Sequence, residues 1–296
     1  MNTAKKIIAV VGATGAQGGG VVKALAERGE FRVRALTRDP SAAAGIADEV
    51  ARADLDDPAS LAAAFAGAHG VFVVTNFWTG ADERAQGRRA IEAAKAAGVD
   101  HFIWSTLPDV EALTQGACDV PHFTHKAHVD TLVAAAAFPH YTFVEPPFYF
   151  QNLAGALAPQ PAEGGGKVFR APMDPRAKVM HMGDITEFGR LVAAAFARPD
   201  AAGSGQRLAQ CGALASWDDV VATLAAQGHA VSFQRVPAEH WDSAFPGAAE
   251  LREMMEYFER ETYFGPDAAA KIAAADALVD APFTDLATWT RAHLTP

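Results

Sequence analysis

Three groups of residues in this chain have the types and spacing to do chemistry. The first is Gly12-Ala13-Thr14-Gly15-Ala16-Gln17-Gly18, directly after the apolar run Ile7–Val11. Glycines so placed let a strand turn sharply into a helix, let backbone approach a phosphate, and let that helix pack on the strand. The helix then offers free N–H groups and the positive end of its dipole to an anion. An apolar strand before it and a helical pattern after it turn an otherwise unspecific motif into a dinucleotide site. The second group is Thr37-Arg38, twenty positions beyond Gly18, with no acid at the strand's end. An NAD site usually places Asp or Glu there for the ribose 2′-hydroxyl, whereas arginine accommodates a 2′-phosphate with paired hydrogen bonds. NADP is therefore expected over NAD; the plainer alternative is that Arg38 is a solvated surface charge. Asp39 is expected to start the turn that Pro40 continues.

The third group lies on a helix beginning near Pro121, where His122 precedes Lys126 by four residues. Histidine can act as a general acid near neutral pH; the alternative for His122 is a pocket-wall or capping residue. His122, His125 and His128 step by three, so the outer pair diverges by about 120° around a helix. With no carboxylate at the matching helical positions, no metal is expected there. Ligands of open α/β sheets bind at the carboxyl ends of the strands, which adds Asp54-Leu55, Thr75-Asn76-Phe77-Trp78 and Ser105-Thr106 as candidates. Asp54 and Leu55 could flank an adenine, or Asp54 could cap its own turn. Ser105 lacks the Gly-x-Ser-x-Gly elbow, so hydrolase chemistry is not expected.

The elements that must hold these residues alternate. Strands are expected at Ile7–Val11, Phe31–Thr37, Val50–Asp54, Val71–Thr75, His101–Ser105 and Tyr141–Glu145, with helices at Gly18–Arg28, Pro58–Ala66, Ala81–Ala97 and Pro121–Ala137. That alternation means a doubly wound α/β fold, a parallel sheet covered on both faces. Residues 1–150 are read as the dinucleotide-binding domain. Beyond Pro146-Pro147 the pattern becomes irregular, and residues 151–296 are read as a smaller, mostly helical lobe for substrate or partner. Within it, 184–212 (a helix over Asp184–Arg198, a strand over Gln206–Gln210) is expected to return to the main sheet. The segment Pro237–Tyr263 is expected to be helical, with Trp241, Phe245, Leu251, Met254, Met255, Tyr257 and Phe258 mostly filling the lobe's core.

Composition narrows the function classes. The chain has 296 residues, half of them hydrophobic, and a formal charge of −10; mean hydropathy is +0.03 and the pI is near 5.4. A folded protein is implied, without the basic footprint that nucleic acid or an anionic membrane needs. No apolar stretch approaches the ~20 residues of a membrane span, and Gly12 interrupts the run after Lys5-Lys6 too early for a signal sequence. Cys118 and Cys211 have no paired spacing, which suggests a reducing compartment. A soluble, cytoplasmic protein is expected.

The runs Val11–Gly19, Leu36-Thr37-Arg38-Asp39-Pro40, Val74-Thr75-Asn76-Phe77-Trp78 and Phe148-Tyr149-Phe150-Gln151-Asn152 resemble the NmrA-like family, atypical relatives of the short-chain dehydrogenases. Phe245-Pro246-Gly247-Ala248 before an apolar helix is similar to its NADPH-sensor subgroup. The resemblance implies NADP(H) held by Gly12 to Gln17, by Arg38 and its followers, by Thr75, Asn76 and Phe77, by Lys126, and by Tyr149, Phe150, Gln151 and Asn152. Sensor relatives carry a lysine where this chain has Ala85, so Arg84 or Arg88 would have to replace it. Active short-chain dehydrogenases pair a tyrosine with a lysine four residues later; here His122 stands at the tyrosine's position before Lys126, which makes these two the catalytic candidates and leaves activity open. The leading expectation is a sensor of the NADPH/NADP ratio whose lobe changes conformation. The alternative is an NADPH-dependent oxidoreductase for a quinone or small carbonyl compound, with Phe77, Trp78, Phe148, Tyr149 and Trp241 forming a slot for a flat substrate. The protein or substrate partner and the oligomeric state are left open.

Overall fold

A computed structural model describes residues 4–295; Met1–Thr3 and Pro296, the outermost residues of the two expected domains, lie outside them. The chain opens with β1 (Ile7–Val11), α1 (Ala16–Arg28) and β2 (Arg32–Thr37), then β3 (Glu49–Arg52), α2 (Pro58–Phe65), β4 (Gly70–Val73), α3 (Glu83–Ala96), β5 (His101–Ser105), α4 (Pro121–Ala135) and β6 (His140–Glu145). After an excursion into the lobe, α5 (Phe188–Ala197) and β7 (Ser204–Ala209) complete a seven-stranded sheet in the order β7-β6-β5-β4-β1-β2-β3. Every pairing in it is parallel. The order reverses between β1 and β4, and an open α/β sheet binds ligands in the crevice above such a switch point.

Local chemistry explains the boundaries. Asp57 caps α2 by accepting from the Ala59 and Ser60 N–H groups, and Asp82 caps α3 through Ala85. Asp39 caps the short turn after β2, as the sequence suggested. β3 and β4 each stop two residues before their expected ends at Asp54 and Thr75. The Thr75 carbonyl accepts from Lys126 Nζ instead of a neighbouring strand, so the backbone has left the ladder there. The expected helix Asp184–Arg198 begins with a separate turn, Ile185–Glu187, capped by Asp184. The expected helix Pro237–Tyr263 is likewise broken, into Ala238–Asp242 and α6 (Ala248–Glu261), by Gly247 at φ +86°.

Two apolar clusters cover the sheet. α1 and α5 lie on one face with Val21, Leu25, Leu191 and Val192; α2, α3 and α4 lie on the other with Leu61, Phe65, Ile91 and Val129. α1 meets α5 where a Cβ on Gly189 would stand 1.9 Å from the Gly20 carbonyl oxygen, so only glycine permits that approach. A third cluster belongs to the lobe and includes Phe123, Phe150, Trp217, Met255 and Phe258. The lobe's helices are joined by two three-stranded sheets that the sequence pattern did not disclose. One combines Phe148–Tyr149, Met180–Gly183 and Ala213–Ala215; the other combines Gln160–Pro161, Lys167–Ala171 and Val231–Arg235. No helix of the described residues is long and apolar enough to cross a membrane.

Buried charged side chains are met by ion pairs or, at Asp184, by hydrogen bonds from Gln151 and Thr186. Glu145, fully buried at the end of β6, accepts from Arg207 at 2.9 Å and Lys271 at 3.1 Å, and Arg207 also pairs with Asp130 of α4. A neutral histidine is buried as well. His101 Nε2 lies 2.8 Å from Thr142 Oγ1, whose own proton goes to the Ala202 carbonyl at 2.7 Å, so Nε2 must be the donor. Burial, then the nearby His140 and His69, push its pKa from 6.5 down to about 3. The unfolded chain therefore binds a proton that the folded chain refuses, and stability is lost as pH falls below 6.5. Between pH 7 and pH 5 the loss from His101 is about 2 kcal/mol. Urea unfolding at the two pH values should show His101→Phe losing less stability on acidification than the parent, by that amount.

Candidate functional site

A cavity of about 860 Å³ opens above the switch point and runs beneath the lobe. At its sheet end, β1 delivers the glycine turn. Gly12 has φ +69°, and a Cβ on Gly18 would lie 2.2 Å from the Gly12 carbonyl oxygen. The N–H groups of the first turn of α1 have no helical partner, no side chain among the described residues caps them, and Ala16, Gln17 and Gly18 line the cavity. The backbone thus leaves a concave, donor-rich cradle that added carbon would fill, which suits a pyrophosphate.

Arg38 stands exposed at the cavity's edge and makes no hydrogen bond or ion pair among the described residues. Asp39 is occupied: its Oδ1 accepts from Ser41 N at 2.9 Å and Ser41 Oγ at 2.6 Å, and those bonds hold its carboxyl below the usual range. Asp54 and Leu55 line the same end. Asp54 also does what the alternative reading required, accepting from Asp56 N within its turn at 3.0 Å.

The middle of the cavity is organised by Lys126. Its ammonium is buried, donating to Thr75 O at 3.0 Å and Thr75 Oγ1 at 2.9 Å and pairing with the fully buried Glu83. Thr75 Oγ1 in turn donates to Glu83 at 2.6 Å. Burial pushes the lysine's pKa down while Glu83 opposes it. An ammonium has three donors, and all three are spent here, so direct contact with a bound ribose requires one of these bonds to open. A second chain runs from Ser105 Oγ to Gln17 Oε1 (2.7 Å) and from Gln17 Nε2 to the Tyr149 hydroxyl (3.0 Å), and burial raises the Tyr149 pKa.

At the lobe end the walls become apolar, with Leu157, Leu251, Met254 and Met255 facing Phe77, Phe148 and Trp78. His122 also lines this end. Its Nδ1 is 2.6 Å from Glu250 Oε1 on α6.

Of the expected site residues, Gly12, Thr14 to Gly18, Arg38, Asp54, Leu55, Thr75, Asn76, Phe77, His122, Lys126, Tyr149 and Asn152 line this single cavity. Three stand behind its wall. Ala13 is buried with its N–H donated to Leu36 O. Phe150 is fully buried against Trp289. Gln151 is bound to Asp184, at 2.6 Å, and to the Ile185 N–H. Trp241 is no part of the aromatic slot; it is buried beside Phe245 and donates to Ala248 O, whereas Phe245, expected in the core, is exposed because it lies in the loop before Gly247. Arg84 and Arg88 are exposed and away from the cavity, whereas Gln86 lines it and binds Asp56 at 2.8 Å. Burial raises the thiol pKa of Cys118, and that of Cys211 to about 12. Glu83 and Glu250 were not anticipated. On the sequence both read as ordinary acids on helices, and only their partners distinguish them.

A sheet of this order with a glycine turn, a strand-end arginine and a cavity above the switch point defines a Rossmann-type dinucleotide-binding fold. The chain belongs to the NmrA-like family, whose family model matches residues 4–290. An NmrA-like family domain-containing oxidoreductase of Aspergillus hancockii is 30% identical, over 93% of this chain and 90% of the relative. Among solved structures, NmrA, a negative transcriptional regulator, superposes with a TM-score of 0.80 at 26% identity, covering 97% of this chain and 95% of its own; that regulator has been crystallised with NADP and with NAD. An NADPH-dependent quinone oxidoreductase of Escherichia coli shares the fold, with a TM-score of 0.77 at 20% identity over 98% of this chain and 99% of its own.

Removing one member of a buried ion pair strands the other. Lys126→Met should therefore lose about 3–5 kcal/mol of stability. Adding Glu83→Leu should restore most of that loss, because no uncompensated charge is then buried; urea unfolding of the two single variants and the double variant measures the coupling.

Proposed function

We propose that this chain is an NADP(H)-dependent oxidoreductase acting on a flat carbonyl or quinone compound. The observation that carries the reading is the cavity's second end. Beyond the glycine cradle it continues into an apolar, aromatic-walled space beside His122, room for a second reactant next to a group able to transfer a proton. When bound, the cofactor would supply hydride. The residues of this chain would hold it: the Gly12–Gly18 turn and α1 at the pyrophosphate, Arg38 at the 2′-phosphate, Thr75, Asn76 and Tyr149 further in. The names of the curated relatives, which include oxidoreductases, support the same class. Unpaired, buried or partly buried cysteines fit a cytoplasmic setting.

One observation favours a second reading, a sensor of the NADPH/NADP ratio. The lysine expected to assist chemistry is locked to Glu83 and Thr75, which suits a binding protein as well as an enzyme. A sensor needs cofactor forms that bind its two states with different free energies. Sustained NADPH consumption with a panel of quinones and carbonyls decides for the reductase; saturable binding with a silent panel decides for the sensor.

Titration with NADPH and NADH tests Arg38. Arg38→Ala should weaken NADPH by about 1.5–3 kcal/mol, roughly tenfold to over a hundredfold, and leave NADH unchanged. Equal losses for both would remove Arg38 from the phosphate site.

A further inference from the structure

We propose that Glu250 is a positioning residue for His122, and that the oriented imidazole exchanges the proton of the substrate oxygen, in place of the absent tyrosine. This rests on the reductase reading and adds the group that moves the proton. His122 Nδ1 lies 2.6 Å from Glu250 Oε1, and the same oxygen is 3.3 Å from the His122 backbone N–H. An ionised carboxylate can only accept, so Nδ1 carries a proton in this contact. Nε2 is then the working nitrogen, with no hydrogen-bond partner among the described residues, on a ring that lines the cavity.

The ring is held from several sides. Trp78 and Phe77 lie with centroids 5.1 and 5.9 Å away, and Phe123 lies 4.9 Å away in an edge-on contact. His122 is 8% exposed, which leaves it little room to turn. Glu250 is held too. It lies one turn before Glu253, whose Oε2 accepts the Asp119 N–H at 2.6 Å. No side chain of its own caps α4, where the capping position is Val120. Two carboxylates from the lobe supply the negative charge that a helix N-terminus favours. One carboxylate therefore has two jobs, docking the lobe on α4 and fixing the imidazole. Lys126, one turn along α4, is committed to Glu83 and does not compete for His122.

For a ketone or aldehyde, the carbonyl carbon gains hydride, the C=O π pair moves onto oxygen, and that oxygen takes the Nε2 proton of the doubly protonated ring. The ring regains its proton from water. In the reverse direction, bare Nε2 takes the hydroxyl proton. A carboxylate that fixes a histidine's tautomer and leaves its other nitrogen for proton transfer is the division of labour of hydrolase triads, here set beside a dinucleotide site. A quinone depends less on such a donor, because the hydroquinone oxygen is a weaker base than an alkoxide.

The test uses the full chain with His122→Gln, Glu250→Leu and Glu250→Gln. Ring ¹⁵N–¹H correlation spectra of the cofactor-free protein report the His122 tautomer. Titration reports NADPH affinity, and steady-state rates are taken with an aldehyde and ketone panel and with a quinone panel. The expected parent spectrum has Nδ1 protonated; Glu250→Leu loses that signature, and Glu250→Gln, which still accepts from Nδ1, keeps it. His122→Gln should lower kcat for carbonyls by about 100-fold and Glu250→Leu by roughly tenfold or more, with quinones less affected and Glu250→Gln recovering part of the loss. NADPH affinity should stay within about twofold throughout. A parent ring with bare Nδ1, or a tautomer indifferent to Glu250→Leu, overturns the positioning role. Carbonyl turnover by His122→Gln within about threefold of the parent overturns the proton-transfer role while leaving the reductase reading intact. A parent silent on both panels overturns the reductase reading and proton transfer with it, and the spectrum still decides the Glu250–His122 geometry on its own.

Discussion

The Lys126 ammonium, buried against Glu83 and both oxygens of Thr75, is the contact on which the site's geometry depends. It joins three elements that the sheet alone would leave independent: the end of β4, the first turn of α3 and the second turn of α4. Burying two opposite charges is costly unless each is well met. Here the three donors of the ammonium are all engaged, while Glu83 Oε2 has no hydrogen-bond partner among the described residues. That remaining acceptor marks the place where the arrangement is under-satisfied, and a buried acceptor without a donor carries a desolvation cost that an added donor would relieve. Beyond the last residue of β4, Thr75, Asn76 and Phe77 line the cavity, so the strand end becomes a wall.

The lobe closes this wall from above through a different kind of contact. Its core is aromatic and sulfur-rich, with Phe123 of α4 packed among Tyr257, Phe258 and Tyr263. Polar contact concentrates at the start of α4, where Glu250 and Glu253 take otherwise unpaired N–H groups. The apolar packing supplies most of the adhesion, since it is proportional to the area removed from water. The carboxylates supply direction, because a charge-assisted hydrogen bond is short and aimed. Met254 and Met255 come from the same helix, one turn on, and place flexible apolar surface over the cavity.

Much of this fold was legible from the residues because its signals are local. Five-residue apolar runs and the alternation of strand with helix follow from burial on both faces of a parallel sheet, and β5 has the bounds its residues suggested. The glycine turn and the Asp39 cap are likewise decided within a few positions of chain. The misplaced boundaries share another origin. Past β4 the Thr75 carbonyl meets a lysine fifty-one positions away instead of a strand, a partner that no local pattern shows. The two small lobe sheets pair short segments such as Phe148–Tyr149 with Met180–Gly183, too brief for any periodicity to register. Glu83 and Glu250 were hidden for the same reason as the β4 boundary. An acid in the first turn of a helix is favoured by the dipole whether or not it meets a partner, so its type and position carry no sign of the partner it meets.

On the proposed reading, cofactor preference and proton transfer are separable, because the residues proposed for them stand at opposite ends of one cavity. At the sheet end one carboxylate oxygen of Asp39 is engaged within its own turn by Ser41, so it caps that turn while the carboxylate stays charged and exposed. Arg38 has no partner among the described residues, so a bound phosphate would cost it no ion pair seen there. At the lobe end the opposite holds: His122 is already engaged by Glu250, and its orientation is settled before any ligand enters. A group with no prior partner contributes mainly affinity, whereas a group fixed in advance contributes to a reacting geometry, since the entropy of ordering it has been met in folding. In the proposed reductase, the distribution of free and committed side chains along the cavity thus divides recognition at the sheet from chemistry at the junction between sheet and lobe.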